Sequence, residues 1–186
     1  MGRPVGILGG TFDPVHNAHL AIAGAALREL GLQQILWLPT GAPPYRTAPV
    51  AAAAHRLAML RLATAGEPRY AVDERELRAD ASGFTYDSVK ALKDEKPDTH
   101  FTLLMGADQY AKRDTWHRWP DIEKLCDIAV VARPGAEANA KAKAIPMSPM
   151  PVSASDVRAR LARGEDVSAM LPATVLGYIK EKGLYA

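Results

Sequence analysis

Short apolar runs alternate with longer stretches of helical spacing along the chain. Val5 to Leu8 is an apolar run closed by Gly9-Gly10, the pattern of a buried strand. Asn17 then stands as an N-cap, Leu20, Ala23, Leu27 and Leu30 recur at helical spacing, and Gly31 supplies the stop. Ile35 to Leu38 is a second apolar run, ended by Pro39. Strand, loop, helix, strand is a βαβ unit, whose right-handed crossover makes the two strands parallel.

The same grammar continues. Thr40 to Val50, with Gly41, Pro43, Pro44 and Pro49, excludes regular structure and makes a candidate lid. Ala51 to Ala65 reads as helix with Leu57, Leu60 and Thr64 facing in, Tyr70 to Val72 as a brief strand, and Thr85 to Lys93 as helix over Val89 and Leu92. Phe101 to Met105 and Ile128 to Ala132 read as strands. Ala136 to Pro151, rich in Ala, Lys and Pro, is expected to run over the surface. A helix begun near Ser155 stops at Gly164, and Val175 to Lys182 forms the last one. This alternation predicts a doubly wound, Rossmann-like α/β fold: a parallel sheet with helices on both faces and a small C-terminal helical part. In such sheets ligands bind outside the carboxyl ends of the strands, so the residues just after each strand carry the interest.

Composition narrows the function. A chain of 186 residues suits one domain, 1–186, able to bury roughly 70% of its unfolded surface without staples. With 23 Lys and Arg against 21 Asp and Glu, the net charge of +2 is too small to argue for a nucleic-acid or membrane partner. Any phosphate site must be local. The single cysteine, Cys126, beside the apolar run 128–131, reads as a buried filler and excludes an internal disulfide framework. The N-terminus shows no signal-peptide pattern, and no apolar run approaches a membrane span, so a cytoplasmic protein is expected.

The first strand end is the richest in chemistry: Gly9-Gly10-Thr11-Phe12-Asp13-Pro14-Val15-His16-Asn17-Ala18-His19. Two glycines allow a close backbone approach to a ligand, and the helix that follows offers N–H groups and a positive dipole end to an anion. His16 and His19 project together and can each donate to phosphate oxygen. The loop is not a P-loop, because the first lysine is Lys90, and no Gly-x-Gly-x-x-Gly occurs. Zinc would need three or four ligands, whereas His55, His100 and His117 lie in unrelated elements.

Gly9 to His19 resembles the Gly-Gly-Ser/Thr-Phe-Asp-Pro-x-His-x-Gly-His signature of the nucleotidylyltransferase superfamily, with Ala18 at its usual third glycine. Within it the chain resembles the bacterial nicotinate-nucleotide adenylyltransferases. Pro43-Pro44-Tyr45-Arg46, Asp73 to Leu77, Phe84-Thr85-Tyr86, Gly106-Ala107-Asp108 with Trp116, Val152 to Arg158 and Gly183-Leu184-Tyr185 resemble that family's further motifs, in order.

The resemblance implies transfer of the adenylyl group of ATP to nicotinate mononucleotide in NAD biosynthesis, with pyrophosphate leaving, no covalent intermediate and Mg²⁺ on the ATP phosphates rather than in a protein metal site. It implies catalytic roles for His16, His19 and Arg158. It implies ATP contacts from Gly9, Gly10, Thr11, Phe12, Gly106, Asp108, Ser153 and Ser155. The mononucleotide would meet Arg46, Thr85, Trp116 and His117, with Trp116 stacked on the pyridine and Trp119 facing the core. The physics agrees for Ser153, Ser155 and Arg158, since hydroxyls, helix N–H groups and a guanidinium suit pyrophosphate, although ordinary N-capping would also explain one serine. Rival readings are a nicotinamide-mononucleotide, dual-specificity or pantetheine-phosphate adenylyltransferase, and a nucleotide-binding module without turnover. The oligomeric state, a homo-oligomer included, stays open.

Overall fold

The computed structural model describes residues 2–41, 47–132, 142–148 and 150–186. Among the described residues six strands form one sheet: β1 (Pro4–Gly10), β2 (Gln34–Pro39), β3 (Tyr70–Val72), β4 (His100–Met105), β5 (Asp127–Ala132) and β6 (Lys143–Pro146). They lie in the order β3-β2-β1-β4-β5-β6, every pair parallel. The helices are α1 (Asn17–Glu29), α2 (Ala53–Thr64), α3 (Thr85–Glu95), α4 (Ala107–Ala111), α5 (Trp119–Leu125), α6 (Ala154–Ala162) and α7 (Ala173–Lys182).

The central strands β1, β2, β4 and β5 are covered on both faces, and their side chains alternate between two cores. Leu8, Ile35, Trp37, Leu104 and Ala129 face one, with Leu27 of α1, Leu60 of α2, Val157 of α6 and Ile179 of α7. Ile7, Leu36, Leu38, Leu103 and Ile128 face the other, with Val89 and Leu92 of α3 and Trp119 and Ile122 of α5. Each fully buried aliphatic side chain contributes about 1.5–3 kcal/mol, which is why near-continuous apolar strands specify a sheet covered on both sides. The doubly wound fold expected from the alternation is thus the one observed, and α6 and α7 join the α1 core.

Local features depart from expectation in four places. The edge strand β6 lies where a surface run was expected: a single anchor, Ile145, is fully buried, and pairing to β5 orders Lys143, Ala144 and Pro146 around it. In α2 the buried positions are Arg56, Met59, Leu60 and Thr64, and Leu57 is only half-buried. His16, not Asn17, occupies the N-cap of α1. The amide of Asn17 is also already used, donating to the Met170 carbonyl at 2.9 Å. Cys126 is buried as expected, and burial pushes its thiol pKa up to about 12, which keeps it inert. No helix among the described residues is long and apolar enough to cross a membrane.

Candidate active site

The strand order reverses direction of growth between β1 and β4, and a crevice opens there beyond the carboxyl ends of the strands. Gly9, Gly10, Thr40, Glu76, Thr85 and Trp116 are among the residues that line the cleft. The strand ends thus bring the glycine loop and the Thr85 and Trp116 segments, far apart in sequence, to one place.

The loop after β1 is held in an unusual backbone path. Phe12 has φ +50, a left-handed conformation that costs about 1–2 kcal/mol for a residue with a side chain. Its ring repays this by burial, at 2% exposure, edge-on to His19 with centroids 5.0 Å apart and 5.5 Å from Trp37. Gly10 makes room for it, since a Cβ there would sit 3.0 Å from the Phe12 ring. Phe12 therefore supports the loop from within the core, and Thr11 is the partly exposed residue beside it.

His16 and His19 stack with ring centroids 3.7 Å apart. The His16 main-chain N–H donates to His19 Nδ1 at 3.2 Å. Nδ1 is thereby the acceptor, so the proton of neutral His19 resides on Nε2, which is left as a donor. Burial lowers the His16 pKa to about 4, and burial together with the neighbouring His16 lowers that of His19 to about 3. Both imidazoles are neutral at pH 7. His16 Nδ1 is buried without a hydrogen-bond partner among the described residues.

α6 brings the second phosphate-binding candidate set. Ser153 is its N-cap, its Oγ accepting from the Asp156 amide at 3.2 Å and lying 3.1 Å from Ser155 Oγ. One turn on, Arg158 Nη1 donates to the Asp13 carbonyl at 2.6 Å. The two motifs, 145 residues apart in sequence, therefore form one wall.

Two residues that pattern reasoning passed over hold this wall in place. Arg56 is 1% exposed and donates to the carbonyls of Thr11 (2.6 Å), Thr40 (2.8 Å) and Ala51 (3.3 Å). It clamps the loops after β1 and β2 together. Burial lowers its pKa and the nearby Asp13 charge opposes this. Asp13, 4% exposed, accepts from the Val50 and Ala51 amides at 2.7 and 3.1 Å and from the Tyr185 hydroxyl at 2.7 Å. Asp13 and Tyr185 were visible inside the motifs. A mid-helix arginine in an Ala-rich run gave no signal at all.

At the other end of the cleft, Thr85 is the first residue of α3, and Gly41 lies against the Glu76 carbonyl so closely that a Cβ there would be 2.5 Å from its oxygen. Glu76 Oε1 accepts from the Ser88 hydroxyl at 2.7 Å. Trp116 is partly exposed and meets the buried Trp119 edge-on at 5.9 Å, which leaves Trp119 facing the core. His117 is exposed with its ring 4.4 Å from that of Phe84. Asp108 is exposed in the first turn of α4, behind the N-cap Gly106. Arg46 lies outside the described residues.

A parallel sheet of this order with a switch-point cleft, two helix N-termini and neutral donors around it defines a nucleotide-binding α/β protein. The model of the cytidylyltransferase-like family matches residues 7–160. A Bordetella petrii protein named "Probable nicotinate-nucleotide adenylyltransferase" is 46% identical, covering 98% of this chain and 99% of its own. A Laribacter hongkongensis protein of the same name is 41% identical, covering 97% and 94%. The chain belongs to the cytidylyltransferase-like family and, within it, to the nicotinate-nucleotide adenylyltransferases. Its fold matches that of the Plasmodium falciparum nicotinic acid mononucleotide adenylyltransferase complexed with NaAD, with a TM-score of 0.82 at 18% identity over 98% of this chain and 97% of that one.

Proposed function

We infer that the protein transfers the adenylyl group of ATP to nicotinate mononucleotide, giving nicotinate adenine dinucleotide and pyrophosphate. The observation that carries the reading is the junction of Arg158 with the histidine loop at Asp13, which joins two triphosphate-binding candidate segments into one wall, while the glycines of that loop line the same cleft as Trp116.

An oxygen of the mononucleotide phosphate attacks the α-phosphorus of ATP, and the bond from that phosphorus to the β-bridging oxygen breaks. The nucleophile is already largely ionised at pH 7, since a phosphate monoester has its second pKa near about 6. No general base is needed, and the residues act by positioning and by stabilising charge. His19 donates from Nε2 to the α-phosphate, with His16 behind it. Ser153, Ser155 and Arg158 take the β- and γ-phosphates. Gly9, Gly10 and Thr11 bring the backbone close, and Gly106 and Asp108 serve the adenylate ribose. Trp116 stacks on the pyridine ring, the α3 N-terminus at Thr85 and the segment at His117 offer N–H groups to the carboxylate, and Arg46 meets the mononucleotide phosphate.

Mg²⁺ belongs in this reading to the substrate, as MgATP. The carboxylate within the loop, Asp13, is engaged by Val50, Ala51 and Tyr185. The ion would neutralise charge on the triphosphate oxygens.

Pyrophosphate release with ATP, Mg²⁺ and each mononucleotide tests the proposal. Stoichiometric pyrophosphate and dinucleotide with nicotinate mononucleotide is the expected result. No release with either mononucleotide would leave a binding module without turnover.

A further inference from the structure

Adenylyl transfer as described gives no part to Tyr185, although its hydroxyl reaches the Asp13 carboxylate of the histidine loop. The ring packs against the α1-side core, and the backbone is held at φ +65. The hydroxyl donates to Asp13 Oδ1 at 2.7 Å, while the Ala51 amide shares that oxygen and the Val50 amide holds Oδ2. Burial, and then the bond to Asp13, raises the Tyr185 pKa above the ordinary phenol value, so the hydroxyl stays a donor.

Arg158 touches Asp13 in an asymmetric way. Its Nη1 donates to the main-chain carbonyl at 2.6 Å but stands 3.8 Å from the carboxylate Oδ2, too far for a hydrogen bond. A carboxylate free to turn would take the guanidinium in a two-pronged pair, the preferred arginine–carboxylate geometry, and withdraw its donors from any phosphate. Three donors on Asp13 prevent the turn, and only one of them comes from a side chain.

We propose that Tyr185 is a positioning residue for the triphosphate: by holding the Asp13 carboxylate turned away, it keeps the Arg158 guanidinium pinned at one nitrogen and open to ATP at the others. The proposal rests on the adenylyl-transfer reading. It extends the site to a residue after the last helix and assigns it to the ATP side of the reaction.

The test is kinetic and calorimetric, on the full chain. Wild-type enzyme is assayed first; if it makes no dinucleotide from nicotinate mononucleotide, the underlying reading fails rather than this one. Tyr185→Phe removes one oxygen and keeps the ring. It should lower kcat/KM for ATP roughly five- to tenfold while KM for the mononucleotide stays within about twofold. Calorimetric binding of a non-hydrolysable ATP analogue should weaken by a similar factor. In an Arg158→Ala background, Tyr185→Phe should add nothing to the loss of analogue binding, because its effect runs through that guanidinium. Tyr185→Leu, which keeps apolar packing, should reproduce the result. The proposal is overturned by near-wild-type ATP parameters in the Phe variant, by equal losses for both substrates, or by an undiminished effect without Arg158. It is likewise overturned if both variants fail to fold, since Tyr185 is then structural.

Discussion

The main-chain amide of His16 fixes the tautomer of His19, three residues on, by donating to its Nδ1 at 3.2 Å. A neutral imidazole can present either nitrogen as donor, and here only Nε2 is left as one. The stacked His16 ring, at 3.7 Å, removes water from one face of His19 and holds the ring's plane.

If Nε2 donates to the α-phosphate as charge grows there, His19→Ala should lower kcat by two to three orders of magnitude, roughly 3–4 kcal/mol. Single-turnover kinetics separate this from binding. A variant with near-normal kcat and only a raised ATP KM would remove His19 from the chemical step.

The same burial makes the free protein acid-sensitive. In the unfolded chain both imidazoles take up protons near pH 6.5, but in the folded protein only near about 4 and about 3. Between these values the unfolded state holds more protons, so stability falls as pH falls below about 6.5. The thermal midpoint should decline from pH 7 to pH 5, above the range where carboxylates titrate. A His16→Gln, His19→Gln double variant should show a flatter profile; an unchanged slope would place the acid sensitivity elsewhere.

Arg56 is expected to matter for stability before chemistry. Arg56→Met leaves the Thr11, Thr40 and Ala51 carbonyls without their donor. The loss should be about 3 kcal/mol. For a chain of this length that is a fall in Tm on the order of 10 °C, read by thermal unfolding. An unaltered midpoint would mean the three carbonyls are satisfied without it.

Substrate choice follows from the donor-rich end of the cleft. In the proposed pose a nicotinate carboxylate would accept from the helix N–H groups near Thr85, whereas a nicotinamide NH₂ turned toward a donor would leave a group unpaired, costing about 1–3 kcal/mol. Nicotinate mononucleotide should be preferred at least about tenfold in kcat/KM. Trp116→Ala should weaken both mononucleotides and spare ATP. Comparable kcat/KM for the two in wild type would point to a dual-specificity enzyme.

What the sequence determined by itself is what depends on neighbours along the chain. Apolar runs of strand length, helical spacing and glycine stops announce β1, α1, β2, α3, β4 and β5, because burial on both faces of a sheet demands those patterns. The loop Gly9 to His19 and the Ser153 to Arg158 segment were legible as phosphate-binding candidates because their chemistry is local: hydroxyls, imidazoles and helix N-termini. Tertiary structure alone decided how these segments meet. β6 has one buried anchor, Ile145, and Lys143, Ala144 and Pro146 become strand only because β5 offers an edge to pair with. Arg56 reads as a solvated helix residue until three carbonyls from the loops after β1 and β2 enclose it. The α1 N-terminus, legible as a set of free donors, gives its Asn17 amide to Met170. Asp13 acquires its partners at positions 50, 51, 158 and 185 only on folding. Such contacts leave no periodic trace, since each is made by one residue across a long loop and its energy exists only once the sheet has brought both ends together.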